Sequence, residues 1–146
     1  MTQEKLLHAE LTERIIKAYY HVYNTLGYGF LEKVYENALI VTLRKWGLEV
    51  QQQVPIAVRF EGEIVGKYFA DGIVAGLVIL EMKAVENLDE AHEAQLLNYL
   101  KASDVEVGLL LNFGKKPEFK RKAFSNDRRG AKRPSISSPS DPSDPR

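Results

Sequence analysis

The chain has 146 residues, 45% hydrophobic and 27% charged, which is one ordinary globular domain with enough length to bury a core. Lysine plus arginine and aspartate plus glutamate each total 20, so no global field draws it to nucleic acid or to a membrane surface. Cysteine is absent, which removes disulfides, thiolate metal sites and cysteine nucleophiles, and His8, His21 and His92 follow no metalloprotease spacing.

The opening residues lack a basic region followed by an apolar run, so no signal peptide is expected. No stretch approaches roughly 18 uninterrupted apolar residues. The expectation is a cytoplasmic chain with no membrane partner. Leu7, Leu11, Ile15, Tyr19, Val22 and Leu26 recur at helical spacing and predict a first helix from about Gln3 to Leu26, ended by Gly27-Tyr-Gly29. A second helix is predicted from about Phe30 to Trp46, with Gly47 ending it. The period then drops to two: Val54, Ile56, Val58 and Phe60 alternate with Pro55, Ala57 and Arg59 in a first strand. Pro55 suits an edge or a strand entry.

After a turn at Glu61-Gly62-Glu63, a second strand is expected from Ile64 to Val74, then a turn at Ala75-Gly76 and a third strand from Leu77 to Lys83. This third strand is apolar on both faces, as a central strand covered by helices would be. Asn87 or Asp89 caps a helix reaching about Ala102, Val105 to Phe113 forms a fourth strand, and Phe119 to Phe124 adds a fifth. From Asn126 the chain holds four of its six prolines and few apolar residues, so residues 126–146 are expected to be a disordered Ser/Pro-rich tail behind a domain of 1–125. The order ααβββαβ(β) describes an α/β fold with a mixed sheet flanked by helices.

Glu81 and Lys83 lie two apart on the third strand and therefore share a face. A central strand normally avoids charge without a partner. With a three-residue loop, Ala75-Gly76-Leu77, Val74 pairs with Val78 and Asp71 falls opposite Glu81; a two-residue loop would send Asp71 to the other face. In the first register two carboxylates and an ammonium converge, and oxygen donors of this kind suit magnesium or manganese. An ordinary same-face ion pair between Glu81 and Lys83 explains the spacing equally well. On the third helix His92, Gln95 and Tyr99 form a polar stripe, which a surface histidine and a core-boundary tyrosine would also produce. Glu32 sits in the first turn of the second helix, where the dipole alone favours a carboxylate.

Taken together, Gly29, Glu32 and Tyr35, Ala70-Asp71, Glu81-Met-Lys-Ala-Val85, His92-Glu-Ala-Gln-Leu-Leu97, Tyr99-Leu-Lys-Ala102 and Leu111-Asn-Phe-Gly114 resemble the GxxExxY-motif proteins. These are small bacterial and archaeal members of the PD-(D/E)xK nuclease superfamily. The resemblance runs from about Leu6 to Phe113 and implies a restriction-endonuclease-like core. It implies a divalent-metal-dependent nuclease (a hydrolase of phosphodiesters, DNA first), with Asp71, Glu81 and Lys83 catalytic. Asp71 and Glu81, joined by Glu32, would hold Mg2+ or Mn2+, and Gln95, Tyr99, Tyr35 and His92 would contact substrate or support the site. The chain departs from the family at Tyr28, Phe69 and Gly72, and Gly72 is expected to add flexibility beside Asp71.

One basic cluster, Lys115, Lys116, Lys120, Arg121 and Lys122, suits either phosphate contact or protection of an edge strand. The balanced charge and that modest basic surface also fit a nuclease-fold nucleic-acid-binding or assembly module with little turnover. Apolar residues on the first two helices are compatible with a homodimer, and weak substrate contacts with an unidentified targeting partner.

Overall fold

The change of hydrophobic period near Trp46 is where two helices give way to a sheet. The computed structural model describes residues 7–126, so the expected helical turns before Leu7 and the expected tail beyond Asn126 lie outside the described residues. The elements are α1 (Ala9–Leu26), α2 (Glu32–Lys45), β1 (Val50–Phe60), β2 (Glu63–Val74), β3 (Val78–Lys83), α3 (Glu90–Lys101), β4 (Val107–Asn112) and β5 (Glu118–Ala123). The strands lie in the order β1-β2-β3-β4-β5, with β3 and β4 parallel and the other pairs antiparallel. β1 is an edge strand, as Pro55 requires.

β3 and β4 are buried along their length, Lys83 being the one partly exposed residue. Helices cover both faces because an apolar two-faced strand must hide both. On one face Ile15 and Tyr19 of α1 and Leu39 and Leu43 of α2 pack with Val78, Leu80 and Leu109. On the other, Leu96 and Leu100 of α3 pack with Ile79 and Leu110.

The β2–β3 turn sets the register on which the site depends. Leu77 N–H donates to the Val74 carbonyl at 2.8 Å, with Ala75 and Gly76 left-handed at φ 54° and 69°. Val74 pairs with Val78 and Gly72 with Leu80, and one more step along each strand brings Asp71 to Glu81. Gly72, expected to loosen the chain, is instead paired on both sides, with Gln52 and with Leu80. The ladder holds it.

β2 pairs with β3 only over Gly72–Val74, so the rest of the β1–β2 hairpin runs on as a two-stranded arm. Strict alternation would place Val50, Val54 and Ile56 on one face of β1. Instead Val50 joins the α1–α2 core, while Val54 and Ile56 join the α3 core. On β2, Val74 likewise belongs to the first core and Ala70 to the second. The exchange falls at Gln53, whose φ of 53° is left-handed, and at Asp71 between Ala70 and Gly72. A left-handed residue inside a strand bends and twists it, and here the twist carries the arm around to α3.

Beyond Lys83 the chain is held by an amide clamp. Val85 N–H donates to Asn112 Oδ1 at 2.9 Å, and Asn112 Nδ2 donates to the Val85 carbonyl at 2.8 Å. Gly114 lies so close that a Cβ there would stand 1.9 Å from the Val85 carbonyl oxygen. At Gly108 a Cβ would meet only the Leu96 side chain, at 2.7 Å. Backbone cannot yield as a side-chain tip can. Gly114→Ala is therefore expected to lower stability by about 2–3 kcal/mol in denaturant unfolding, with Gly108→Ala costing less.

Candidate active site

Glu81 carries its carboxylate on a strand with no other charge between Val78 and Met82, and it is 5% exposed. Burial is the main reason that its pKa rises to about 8, and the negative charge of Asp71 beside it adds to the shift. Asp71 N–H and the Lys83 ammonium pull the other way. Asp71 is also raised, first by loss of solvent and then by the charge of Glu36, against the Met82 N–H, Gln53 and Lys83.

Where the β2–β3 ladder stops, these two carboxylates continue it. Asp71 N–H donates to Glu81 Oε2 at 3.0 Å, and Met82 N–H donates to Asp71 Oδ2 at 2.7 Å. Each acid thus satisfies a backbone donor on the neighbouring strand, which fixes both side chains at one depth. This matches the expected juxtaposition of Asp71 and Glu81.

Two residues without an expected role complete the arrangement. Gln53 Nε2 reaches Asp71 Oδ1 at 3.2 Å and Glu36 Oε2 at 2.8 Å. Glu36 is 3% exposed, and its Oε2 also accepts from Gln52 Nε2 at 2.9 Å and from Lys33 Nζ at 3.2 Å. Glu36 stands four residues after Glu32, the spacing that puts both on one helix face, and that spacing is visible in the sequence. Nothing in the run Gln51-Gln52-Gln53 announces the left-handed φ.

Glu32 opens α2, and the motif around it is a device for starting that helix. Gly29 has φ 117°, a conformation closed to most side chains. The Tyr35 hydroxyl donates to the Gly27 carbonyl and accepts from Phe30 N–H at 3.1 Å, while its ring stacks on Phe113 with centroids 4.6 Å apart. Tyr35 therefore braces the loop from below and Glu32 enters at the first helical position. Loss of solvent raises the Glu32 pKa, the Lys83 charge opposes that, and the charges of Asp71 and Glu36 raise it further. Lys83 acts on Glu32, Asp71 and Glu81 together but makes no direct ion pair among the described residues.

Tyr99 on α3 lies on the other side of Glu81. Its pKa rises to about 12, through burial first and then the charge of Glu81, and its hydroxyl accepts from Gln95 Nε2 at 3.0 Å. His92 does not share this setting. Its Nδ1 accepts from Asp89 N–H at 3.0 Å, and its own N–H donates to Asp89 Oδ1 at 3.1 Å, a capping box that starts α3. The expected stripe splits into a cap and a Gln95–Tyr99 pair. In the basic cluster, Lys122 pairs with Glu93 at 2.7 Å and Arg121 donates to the Leu7 carbonyl at 2.6 Å, while Lys115 and Lys116 stay exposed past the end of β4.

Among the described residues, no three acidic or histidine side chains approach closely enough to hold an ion by themselves. Two mutually repelling carboxylates, Glu81 buried and Asp71 half-buried, offer oxygen donors that fit a hard divalent cation taking its remaining ligands from water and substrate. Among the described residues no helix is long and apolar enough to cross a membrane.

The strain of this cluster has a measurable consequence. In the metal-free protein Glu81 keeps a proton up to about pH 8, whereas in the unfolded chain it loses it near its ordinary value of 4.5. Between those values the folded state binds more protons, so stability falls as pH rises and levels off above about 8. Glu81→Gln keeps the neutral form at every pH. Its thermal midpoint in chelator is expected to match wild type near pH 5 and to exceed it at pH 8, by roughly 2 kcal/mol or more. Tyr35→Phe is expected to cost about 1–2 kcal/mol through the two lost loop bonds, read by the same melts.

No curated protein matches the chain. The solved structure of SSO0001 shares 14% identity at a TM-score of 0.43, over 66% of this chain and 52% of its own length. That likeness is too distant to bear on the site. A family model described as the PD-(D/E)XK nuclease superfamily matches residues 9–122. That span runs from the first residue of α1 into β5 and takes in Asp71, Glu81 and Lys83, and the chain belongs to the PD-(D/E)XK nuclease superfamily.

Proposed function

We propose that this chain is a divalent-metal-dependent nuclease of the GxxExxY type that hydrolyses phosphodiester bonds in DNA. The observation that carries the reading is the pair of carboxylates, Asp71 and Glu81, interlocked through each other's strand with Lys83 beside them. PD-(D/E)XK nucleases generally use divalent metals. Asp71 and Glu81 would hold Mg2+ or Mn2+, with Glu32 adding a contact from the start of α2. When bound, the ion supplies Lewis-acid polarisation of the phosphoryl group and lowers the pKa of water.

The chain's own residues do the rest. Gln53 and Met82 N–H orient the Asp71 carboxylate, so its oxygens do not have to reorganise as substrate arrives. Lys83, with no ion pair to hold it among the described residues, keeps its ammonium for the attacking water or for the negative charge that grows on the phosphate oxygens. Burial of Glu81 excludes bulk water from one side of the site. A nuclease-fold binding or assembly module is the second reading. It is favoured by the occupation of Lys122 and Arg121 in internal contacts, which thins the surface available for phosphates.

The test is calorimetry of Mn2+ into the full chain and into Asp71→Asn, with Ca2+ for comparison, followed by cleavage assays on DNA. Binding is expected in wild type and lost in Asp71→Asn. Glu81→Gln is expected to lower cleavage at least a hundredfold while the protein stays folded. Absence of Mn2+ binding both alone and with a short oligonucleotide would overturn the nuclease reading in favour of the module.

A further inference from the structure

The arm that the twist at Gln53 carries round to α3 packs on that helix through Ile56, Ala70 and the Tyr68–Tyr99 contact, but does not fill the space beside it. A cleft of about 470 Å3 remains between them, within the range of small-ligand sites (about 300–1,000 Å3). Gln95 and Tyr99 line it, and Tyr99 stands near enough to Glu81 to feel its charge, so the cleft lies beside the candidate active site. Tyr68 of β2 lines the cleft beside Tyr99, its ring centroid 5.6 Å from that of Tyr99 and its residue 47% exposed. Arg59 of β1 and Lys101 of α3 supply the cleft's cations. Neither forms an ion pair among the described residues, and Lys101 lies 5.9 Å above the Phe124 ring.

We infer that this cleft receives one unpaired nucleotide of a DNA strand whose neighbouring phosphate lies at Asp71 and Glu81. The inference rests on the nuclease reading above and adds to it a preference for single-stranded over duplex substrate. An open aromatic wall offers a face on which any base stacks, and only an unpaired base has its own face free to meet it. Two cations without carboxylate partners among the described residues answer the phosphates on either side of that base. An acidic peptide would use the cations but not the aromatic wall.

The experiment is fluorescence anisotropy of a labelled deoxyoligonucleotide, as a single strand and as the duplex of the same sequence. It is run in Ca2+ with the full chain, Tyr68→Ala, Tyr68→Phe, Lys101→Glu and Asp71→Asn. Wild type is expected to bind the single strand more tightly. Tyr68→Ala should weaken single-strand binding about tenfold and leave duplex binding unchanged, and Tyr68→Phe should restore it, since the ring rather than the hydroxyl stacks. Lys101→Glu should weaken the single strand and flatten its salt dependence. Unchanged single-strand affinity in both Tyr68→Ala and Lys101→Glu overturns the inference, as do equal losses for both substrates or no binding by wild type. The two readings fail separately. Tyr68-dependent strand binding that persists in a protein without Mn2+ binding or cleavage keeps the cleft and removes the nuclease. Cleavage with binding indifferent to Tyr68 does the reverse.

Discussion

A carboxylate placed in the middle strand of a sheet that is buried on both faces is the constraint to which the rest of this structure answers. Glu81 has Ile79 and Leu80 before it and Met82 after it, all fully buried. Such a group is costly to ionise without compensation. The compensation offered is partial: one backbone N–H from Asp71, the field of Lys83, and no direct cation among the described residues. An interior arranged for stability alone would place another apolar residue there, and the raised pKa measures how far this one departs from that. Strain of this kind, concentrated on a cluster of titratable groups, is the usual mark of a working site.

Asp71 shows how the backbone accommodates that choice. It stands where the β1–β2 hairpin leaves β3, so its N–H has no strand partner beyond Gly72. Glu81 supplies the acceptor, and Asp71 in turn supplies one for Met82 N–H. The divergence of the strands and the meeting of the carboxylates are thus one event. Gln53, opposite in the hairpin, adopts a left-handed conformation that costs about 1–2 kcal/mol for a residue with a Cβ. Its side-chain bonds to Asp71 and to the buried Glu36 offset part of that cost. The same twist places Tyr68 against Tyr99. Site and cleft therefore share a single backbone irregularity.

Much of this was legible in the sequence because it followed from local chemistry. Gly76 allowed the three-residue loop beside a two-residue alternative, the structure takes the three-residue one with Val74 opposite Val78, and that register, by counting, brings Asp71 to Glu81. The two-faced apolar run of β3 implied a central position between helical layers. What was not legible depends on tertiary geometry. Alternation assumes a strand that keeps its faces, so it could not show that Val50 and Ile56 serve different cores. Glu36 looked like one more helix carboxylate until the arm brought Gln52 and Gln53 over it. His92 shared a helix stripe with Tyr99, but a nearer partner, Asp89, drew it into the cap. Proximity in sequence won there over the face of the helix.

The separate supports of the three site carboxylates also bear on how the site can change without losing its fold. Glu32 is placed by Tyr35 and the Gly29 turn, Asp71 by the crossing of the hairpin, and Glu81 by the sheet itself. The strand after Lys83 is tied down by Asn112, and the Glu32 carboxylate also takes a backbone bond from Ala84. None of these supports uses the ammonium of Lys83. Neutralising one acid therefore removes repulsion from the others and leaves the scaffold in place. The carboxylates lower stability, while the tyrosine, the asparagine and the glycines support the fold; under the proposed function the acids would serve the chemistry. A fold divided in this way can keep its architecture when its acids are replaced, so the three carboxylates with Lys83, rather than the architecture, are what distinguish a nuclease from a binding module on this scaffold.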